Sequence, residues 1–207
     1  LLRVDGSWRI WEEDSLLPIM QIGELPLRNC ISYRNGLNCD CLLSCVDANN
    51  KLVFIEHNGR IVFRAIIRLT KGSFVIADER KTIEFVDVTA KSKLRENKAE
   101  ELVLFLERYY QSGLNEQEIQ KTVNLTVMLV REKAEKPGAR LVLSRRYKNV
   151  LENKNYVLTN FYIYISASKN GSQYLDSLGG EASVSASGSY TCNTFLLEAE
   201  ERREESL

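Results

Sequence analysis

Residues 101–144 run ELVLFLERYYQSGLNEQEIQKTVNLTVMLVREKAEKPGARLVLS. Residues 102–106 form a continuous apolar run that is too short for a helix, which is the pattern of a strand buried on both faces. A turn is predicted at residues 111–113, because a glycine there can take positive φ. Residues 141–143 predict a second strand, most simply parallel to the first through a right-handed crossover.

The helix between these two strands has clear signals at both ends. Asn115 can accept a bond from a free backbone NH, and Glu118 follows three residues later, as a capping box requires. We therefore predict that the helix begins at Glu116 and ends before Pro137, which cannot continue the hydrogen-bond ladder. Apolar residues recur at three- and four-residue steps and predict one stripe that packs on a sheet. The stripe contains Ile119, Val123, Val127, Val130 and Ala134, and Met128 and Leu129 widen it.

This unit predicts the fold class and the position of a ligand site. We expect an α/β domain with a central mixed, mostly antiparallel sheet and the amphipathic helix packed on one face. In open α/β sheets, ligands bind beyond the carboxyl ends of strands, where helix N-termini present NH groups. The predicted site therefore lies at residues 108–116.

A hairpin is predicted at residues 51–69, because Asn58-Gly59 between two alternating runs matches the demands of a type I′ turn. The expected pairing places Arg60, Arg64 and Arg68 on one face of the second strand. We favour a solvated sheet face for these arginines, with an anion site at Arg64 and Arg68 as the alternative. The opposite face is expected to carry Leu52, Phe54, Ile61, Phe63, Ala65, Ile67 and Leu69.

The single histidine and the five cysteines give no strong catalytic pattern. His57 adjoins the hairpin turn and is expected at an exposed tip rather than in a catalytic triad. Cys39, Cys41 and Cys45 would face the same way on a strand, so a zinc site with Cys30 or Cys192 as fourth ligand is one hypothesis. We favour buried free cysteines, and hence no metal, because thiolate sites usually use Cys-x-x-Cys pairs on turns.

Composition limits the partners and the compartment. Acidic and basic residues balance at 28 each, so no overall charge attracts nucleic acid. No apolar run reaches the ~20 residues of a membrane span, and the few cysteines favour a reducing, cytoplasmic location. We expect an N-terminal arm at 1–38, one domain at 39–197 and a charged tail at 198–207. The start at Leu1, without Met, favours a processed chain or a fragment of a longer protein.

The order of these elements resembles the GNAT (Gcn5-related N-acetyltransferase) family. Residues 52–69 are similar to that family's second and third strands, and residues 102–144 to its cofactor-binding strand, loop, helix and following strand. Residues 174–180, YLDSLGG, resemble its late Tyr-x-x-x-Gly-Phe element. The likeness covers most of residues 40–197.

The resemblance implies an activity and a set of residues. It implies transfer of an acyl group from acetyl-CoA to the amine of a small molecule or a protein. Tyr174 would protonate the leaving thiolate, and Glu107 would deprotonate the amine. Gln111 and Gly113 echo the loop that cradles the cofactor's pyrophosphate in that family. The cofactor-binding set would be Arg108, Gln111, Ser112, Gly113 and Asn115.

A second hypothesis is a domain of this fold without acyl chemistry, which serves as an interaction or regulatory module of a larger protein. The loop lacks the second glycine of the family pattern. Glu116 and Glu118 also place two carboxylates in the first helical turn, where they would repel a bound pyrophosphate. The sequence leaves both hypotheses open.

Overall fold

The computed structural model describes residues 2–5, 7–39, 42, 45, 49–75, 101–151, 156–164, 183–184 and 189–197. Side chains are described for residues 7–39, 42, 45, 49–72 and 101–151. The elements are β1 (Leu2–Asp5), β2 (Trp8–Glu13), α1 (Leu16–Met20), β3 (Asn50–His57), β4 (Arg60–Val75), β5 (Glu101–Leu106), β6 (Tyr110–Gln111), α2 (Glu116–Glu135), β7 (Arg140–Ser144), a 3-10 helix (Arg145–Val150), β8 (Tyr156–Tyr164), β9 (Ser183–Val184) and β10 (Ser189–Leu197).

The described strands form one mixed, mostly antiparallel sheet in the order β1-β2-β3-β4-β5-β7-β10-β8, with β6 beside β4 and β9 beside β10. The β5–β7 pair is parallel, as predicted, and α2 connects the two strands. The expected α/β class with a mixed sheet is therefore confirmed.

The sheet closes on itself through the long strand β4. Lys71 and Gly72 pair with β5 on one edge and with β8 on the other. Because β8 also pairs with β10, and β10 with β7, the path β4-β5-β7-β10-β8 returns to β4. Closing a sheet removes free strand edges. This closure differs from the open sheet on which the predicted ligand position was based.

Helix α2 packs on β5 and β7 and supplies one side of the main core. It begins at Glu116 with the predicted capping box, and Val123, Val127 and Val130 are buried. Met128 is 64% exposed, so the prediction that it widens the apolar stripe is wrong. Thr122 and Thr126 are buried on the other flank of the stripe; their hydroxyls donate to backbone carbonyls one turn earlier, which makes their burial tolerable.

The β3–β4 hairpin forms at Asn58-Gly59, but its predicted faces are partly wrong. Ile55 pairs with Phe63 whereas Glu56 pairs with Ile61, so Val62 is an extra residue in the ladder. A bulge of one residue moves every following side chain to the other face. Phe63, Ala65 and Ile67 therefore face α2, and Leu52, Phe54 and Ile61 face the opposite side.

That opposite side is covered by a layer formed from residues 16–39, 42 and 45, which we call the N-terminal layer. Ile19, Ile22 and Ile31 from this layer pack on the β3–β4 face. Arg64 and Arg68, on the covered face, are only 1% and 2% exposed. The preferred prediction of a solvated arginine face is therefore wrong for these two residues. The prediction failed because the layer that covers these arginines lies about 20 to 50 residues away in the sequence.

Two local predictions concerning cysteines and β4 also change. Cys39 and Cys45 lie in 3-10 helical conformation and differ in burial, with Cys39 exposed and Cys45 buried. The argument that these side chains face the same way on a strand therefore fails. The apolar runs at 74–77 and 83–86, with a polar turn between them, predict two short strands, but β4 continues unbroken through Val75. Residues 83–86 lie outside the described residues, as do residues 174–180, where a short helix closed by glycine is predicted.

The β-prone runs at 161–165 and 195–197 predict two strands near the C-terminus, and β8 and β10 lie there. Residues 161–164 belong to β8, and residues 195–197 belong to β10. Strand β10 begins earlier than predicted, at Ser189. In the part of the chain that the structure describes, no helix has the length and apolar character needed to cross a membrane.

Candidate functional site

A cleft of about 280 Å³ lies between the β3–β4 hairpin and the start of α2. The two walls meet where the Ser112 amide donates to the Val62 carbonyl at 3.0 Å. Val62 is the bulged residue of β4, so the same irregularity that changes the hairpin faces also shapes the base of the cleft. The lining residues are Pro26, His57, Asn58, Arg60, Ile61, Val62, Ser112, Gly113, Leu114 and Glu118.

Two turns with positive φ place these walls opposite each other. Asn58 and Gly59 have φ of 50° and 76°, as a type I′ turn requires. Gly113 has φ of 73°, and its turn leads directly into α2. Both turns were predicted from the sequence, but their proximity in space was not.

The start of α2 uses its own polar groups to satisfy its backbone. The Glu118 amide donates to Asn115 Oδ1 at 3.0 Å, and the Asn115 amide donates to Glu118 Oε2 at 2.9 Å. The Leu114 amide donates to Gln111 Oε1 at 3.4 Å. These three amides are therefore bonded within the chain. A pyrophosphate that used the same amides would have to displace these bonds.

His57 lines the cleft, although the sequence predicted an exposed tip. Its ring stacks on Trp8 with centroids 3.9 Å apart. Nδ1 lies 3.3 Å from the Ser7 carbonyl oxygen, so Nδ1 carries the proton and donates, and Nε2 accepts from Asn58 Nδ2 at 3.1 Å. Because both ring nitrogens are engaged, His57 orients the wall of the cleft and is not poised as a general base.

Glu107 lies away from the cleft in a buried ion pair. Arg68 Nε and Nη2 both donate to Glu107 Oε1, at 2.9 and 2.8 Å. The Glu107 side chain is 0% exposed, and its Oε2 has no hydrogen-bond partner among the described residues. Tyr147 donates its hydroxyl proton to the Glu107 backbone carbonyl at 2.9 Å. Burial, followed by the charges of Tyr109 and Glu107, raises the pKa of Tyr147 well above its usual value.

Arg64 lies on the same side of the sheet as this pair. Its Nε donates to the Leu25 carbonyl at 2.7 Å, and its guanidinium lies 4.1 Å from the centre of the Tyr110 ring. Arg108 lies over the same ring at 5.2 Å. Tyr110 therefore provides a π face for two guanidinium groups, one of them buried. These contacts attach the N-terminal layer to β4 through Arg64.

The predicted site residues are divided between these places. Ser112 and Gly113 line the cleft, and Gln111 and Asn115 support the turn behind it. Tyr174 lies outside the described residues. Arg60 and His57 belong to the cleft but were missed as site residues, since only the spatial meeting of the hairpin with the helix start brings them there. The only sequence signal for Arg60 and His57 is their position beside the predicted hairpin turn.

No group of three or more potential metal ligands occurs among the residues with described side chains. Cys41 and the side chain of Cys192, two members of the zinc hypothesis, lie outside that set. Cys30, Cys39 and Cys45, the three cysteines whose side chains are described, form no disulfide with one another and no metal site among themselves.

No protein-family model, no curated protein and no solved structure matches this chain. The resemblance to the GNAT family therefore stays a prediction that rests on the order of elements in the sequence.

Proposed function

We propose that this chain is a non-catalytic binding domain, an interaction or regulatory module of a larger protein, and that the cleft is its recognition site. The observation that carries this proposal is the set of internal hydrogen bonds at the start of α2. The amides of Ser112, Leu114, Asn115 and Glu118 bond to groups of the chain itself. These four amides are thus satisfied without a cofactor.

The position of Glu107 gives further support. A general base must reach the proton that it removes. Glu107 is fully buried and its Oε1 accepts both bonds from Arg68, so its role is to balance a buried charge. The small number of cysteines, five in 207 residues, supports a location in a reducing compartment such as the cytoplasm.

The test is a direct assay of acyl transfer with the purified chain. Acetyl-CoA is supplied at millimolar concentration with a panel of small amines and lysine peptides, and release of free CoA is followed. We expect no release above that of a matched sample without protein, and no heat of acetyl-CoA binding in calorimetry. Turnover that disappears in Tyr174→Phe would contradict the proposal.

A second candidate function is N-acyl transfer from acetyl-CoA to an amine, and one observation favours it. The cleft is lined by Ser112 and Gly113, two of the residues that the family resemblance assigns to the cofactor. This candidate requires the capping bonds of α2 to open when the cofactor binds. It therefore predicts acetyl-CoA-dependent changes in the amide resonances of Asn115 and Glu118, whereas the binding-domain proposal predicts that both bonds persist.

A further inference from the structure

The two walls of the cleft carry opposite charges. Arg60 extends from the hairpin and Glu118 from the first turn of α2, and both line the cleft. Neither forms an ion pair in the part of the chain that is described. Glu118 uses Oε2 to accept from the Asn115 amide, and its Oε1 makes no such bond there. The cleft therefore offers one guanidinium and one carboxylate oxygen.

The remaining lining residues separate these charges with apolar surface. Pro26, Ile61 and Leu114 contribute side chains that can cover a short aliphatic group. The volume of about 280 Å³ lies just below the range for small-molecule sites, roughly 300–1,000 Å³. A ligand held entirely within the cleft is thus small.

We propose that the cleft binds a small aliphatic zwitterion, with its carboxylate on Arg60 and its ammonium group on Glu118, and this inference rests on the proposed binding function. A guanidinium pairs well with a carboxylate, and a carboxylate accepts from an ammonium group. A ligand with only a carboxylate would be repelled by Glu118, and one with only an amine would be repelled by Arg60. A zwitterion satisfies both walls.

The experiment compares three probes of similar shape by NMR titration of the isotope-labelled chain. L-leucine carries both charges, 4-methylpentanoate only the carboxylate, and 3-methylbutylamine only the amine. We expect leucine to shift the amide resonances of the cleft and to bind about tenfold more tightly than either singly charged probe, because each lost charged hydrogen bond costs roughly a factor of ten.

Two charge-neutralising variants locate the contacts. Arg60→Gln is expected to weaken leucine binding about tenfold and to leave binding of the amine no weaker. Glu118→Gln is expected to weaken leucine binding about tenfold and to leave binding of 4-methylpentanoate no weaker. Glutamine at this position retains the capping box, so the helix start survives. The matched controls are Arg145→Gln, an exposed arginine outside the cleft, and Glu116→Gln, which removes a charge from the same helical turn. Both controls should bind leucine as the parent chain does.

Three outcomes would overturn the inference. They are no leucine-dependent shifts at millimolar concentration, equal affinity for all three probes, and leucine binding that neither Arg60→Gln nor Glu118→Gln changes. The proposed function would be overturned by acyl transfer, and none of these three outcomes involves acyl transfer. Failure of the zwitterion inference is therefore distinguishable from failure of the proposed function.

Discussion

The two faces of β3 and β4 are built by different means. On the side of α2, the face carries Val53, Ile55, Phe63, Ala65 and Ile67, and an amphipathic helix covers it. On the side of the N-terminal layer, apolar residues are interrupted by Arg64 and Arg68. Both faces are buried, but the sequence pattern predicts burial only for the face on the side of α2.

This difference shows how apolar and charged side chains are buried by different requirements. Apolar burial is non-directional, and it can be predicted from periodicity alone. A buried guanidinium requires particular partners, and here these are Glu107, the Leu25 carbonyl and the Tyr110 ring. The charged face thus commits Glu107 to the ion pair with Arg68.

The largest expected effect comes from breaking the buried ion pair. Arg68→Met leaves Glu107 charged and buried without its partner, so the free energy of unfolding should fall by about 3–5 kcal/mol. Chemical denaturation followed by circular dichroism measures the change. Arg60→Met on the same strand is the matched control, and because Arg60 is exposed we expect a change within about 0.5 kcal/mol. Equal losses in the two variants would remove the distinction between the buried and exposed arginines.

A smaller effect is expected on the apolar face. Val127→Ala deletes two buried methyl groups of α2 and should lower the free energy of unfolding by about 2 kcal/mol. Met128→Ala changes the adjacent residue, which is 64% exposed, and should be nearly neutral. Denaturation curves of the two variants under the same conditions compare them directly. If Met128→Ala costs as much as Val127→Ala, the orientation of α2 on the sheet is wrong.

The smallest effect at neutral pH is expected for Tyr147→Phe, which removes the hydrogen bond to the Glu107 carbonyl and should cost about 1 kcal/mol. Burial raises the pKa of Tyr147 in the folded chain above its value of about 10 in the unfolded chain. The folded state therefore retains the proton longer, so this contribution to stability is complete below pH 10 and is lost as the pH rises further.

The measurement for this variant is the free energy of unfolding from pH 8 to pH 12. The parent chain should lose stability more steeply above pH 10 than Tyr147→Phe, so that the difference between them narrows. The pKa of Tyr109 is also raised, mainly by burial, and that residue contributes equally to both proteins. Parallel curves above pH 10 would show that Tyr147 is not protected from titration.

The sequence predicted the elements that depend on local chemistry. The capping box at Asn115 and the turn at Asn58-Gly59 are as expected, because each rests on residues close together in the chain. The parallel pair β5–β7 is also as expected, because a strand, a helix and a second strand in succession favour a parallel crossover. The bulge at Val62 was not predicted, since a strand's alternation carries no mark of an extra residue. The faces of the hairpin were therefore partly misassigned.

The candidate site was predicted only in part. Ser112 and Gly113 were expected at a ligand site and do line the cleft. Arg60 joins them through the packing of the hairpin against the helix start, and Glu107 is removed from the site by Arg68, which lies 39 residues earlier. Such pairings depend on the tertiary fold, and one sequence carries no local signal for them.

The most direct test of the claim that Glu107 serves structure is a double-mutant cycle with Arg68. The free energies of unfolding of Arg68→Met, Glu107→Met and the double variant are measured against the parent chain. If the two side chains form the buried pair described, each single variant is costly, the double variant recovers part of the loss, and the coupling energy is about 2 kcal/mol or more. Additive losses, with a coupling below about 0.5 kcal/mol, would contradict the account and leave Glu107 free for another role.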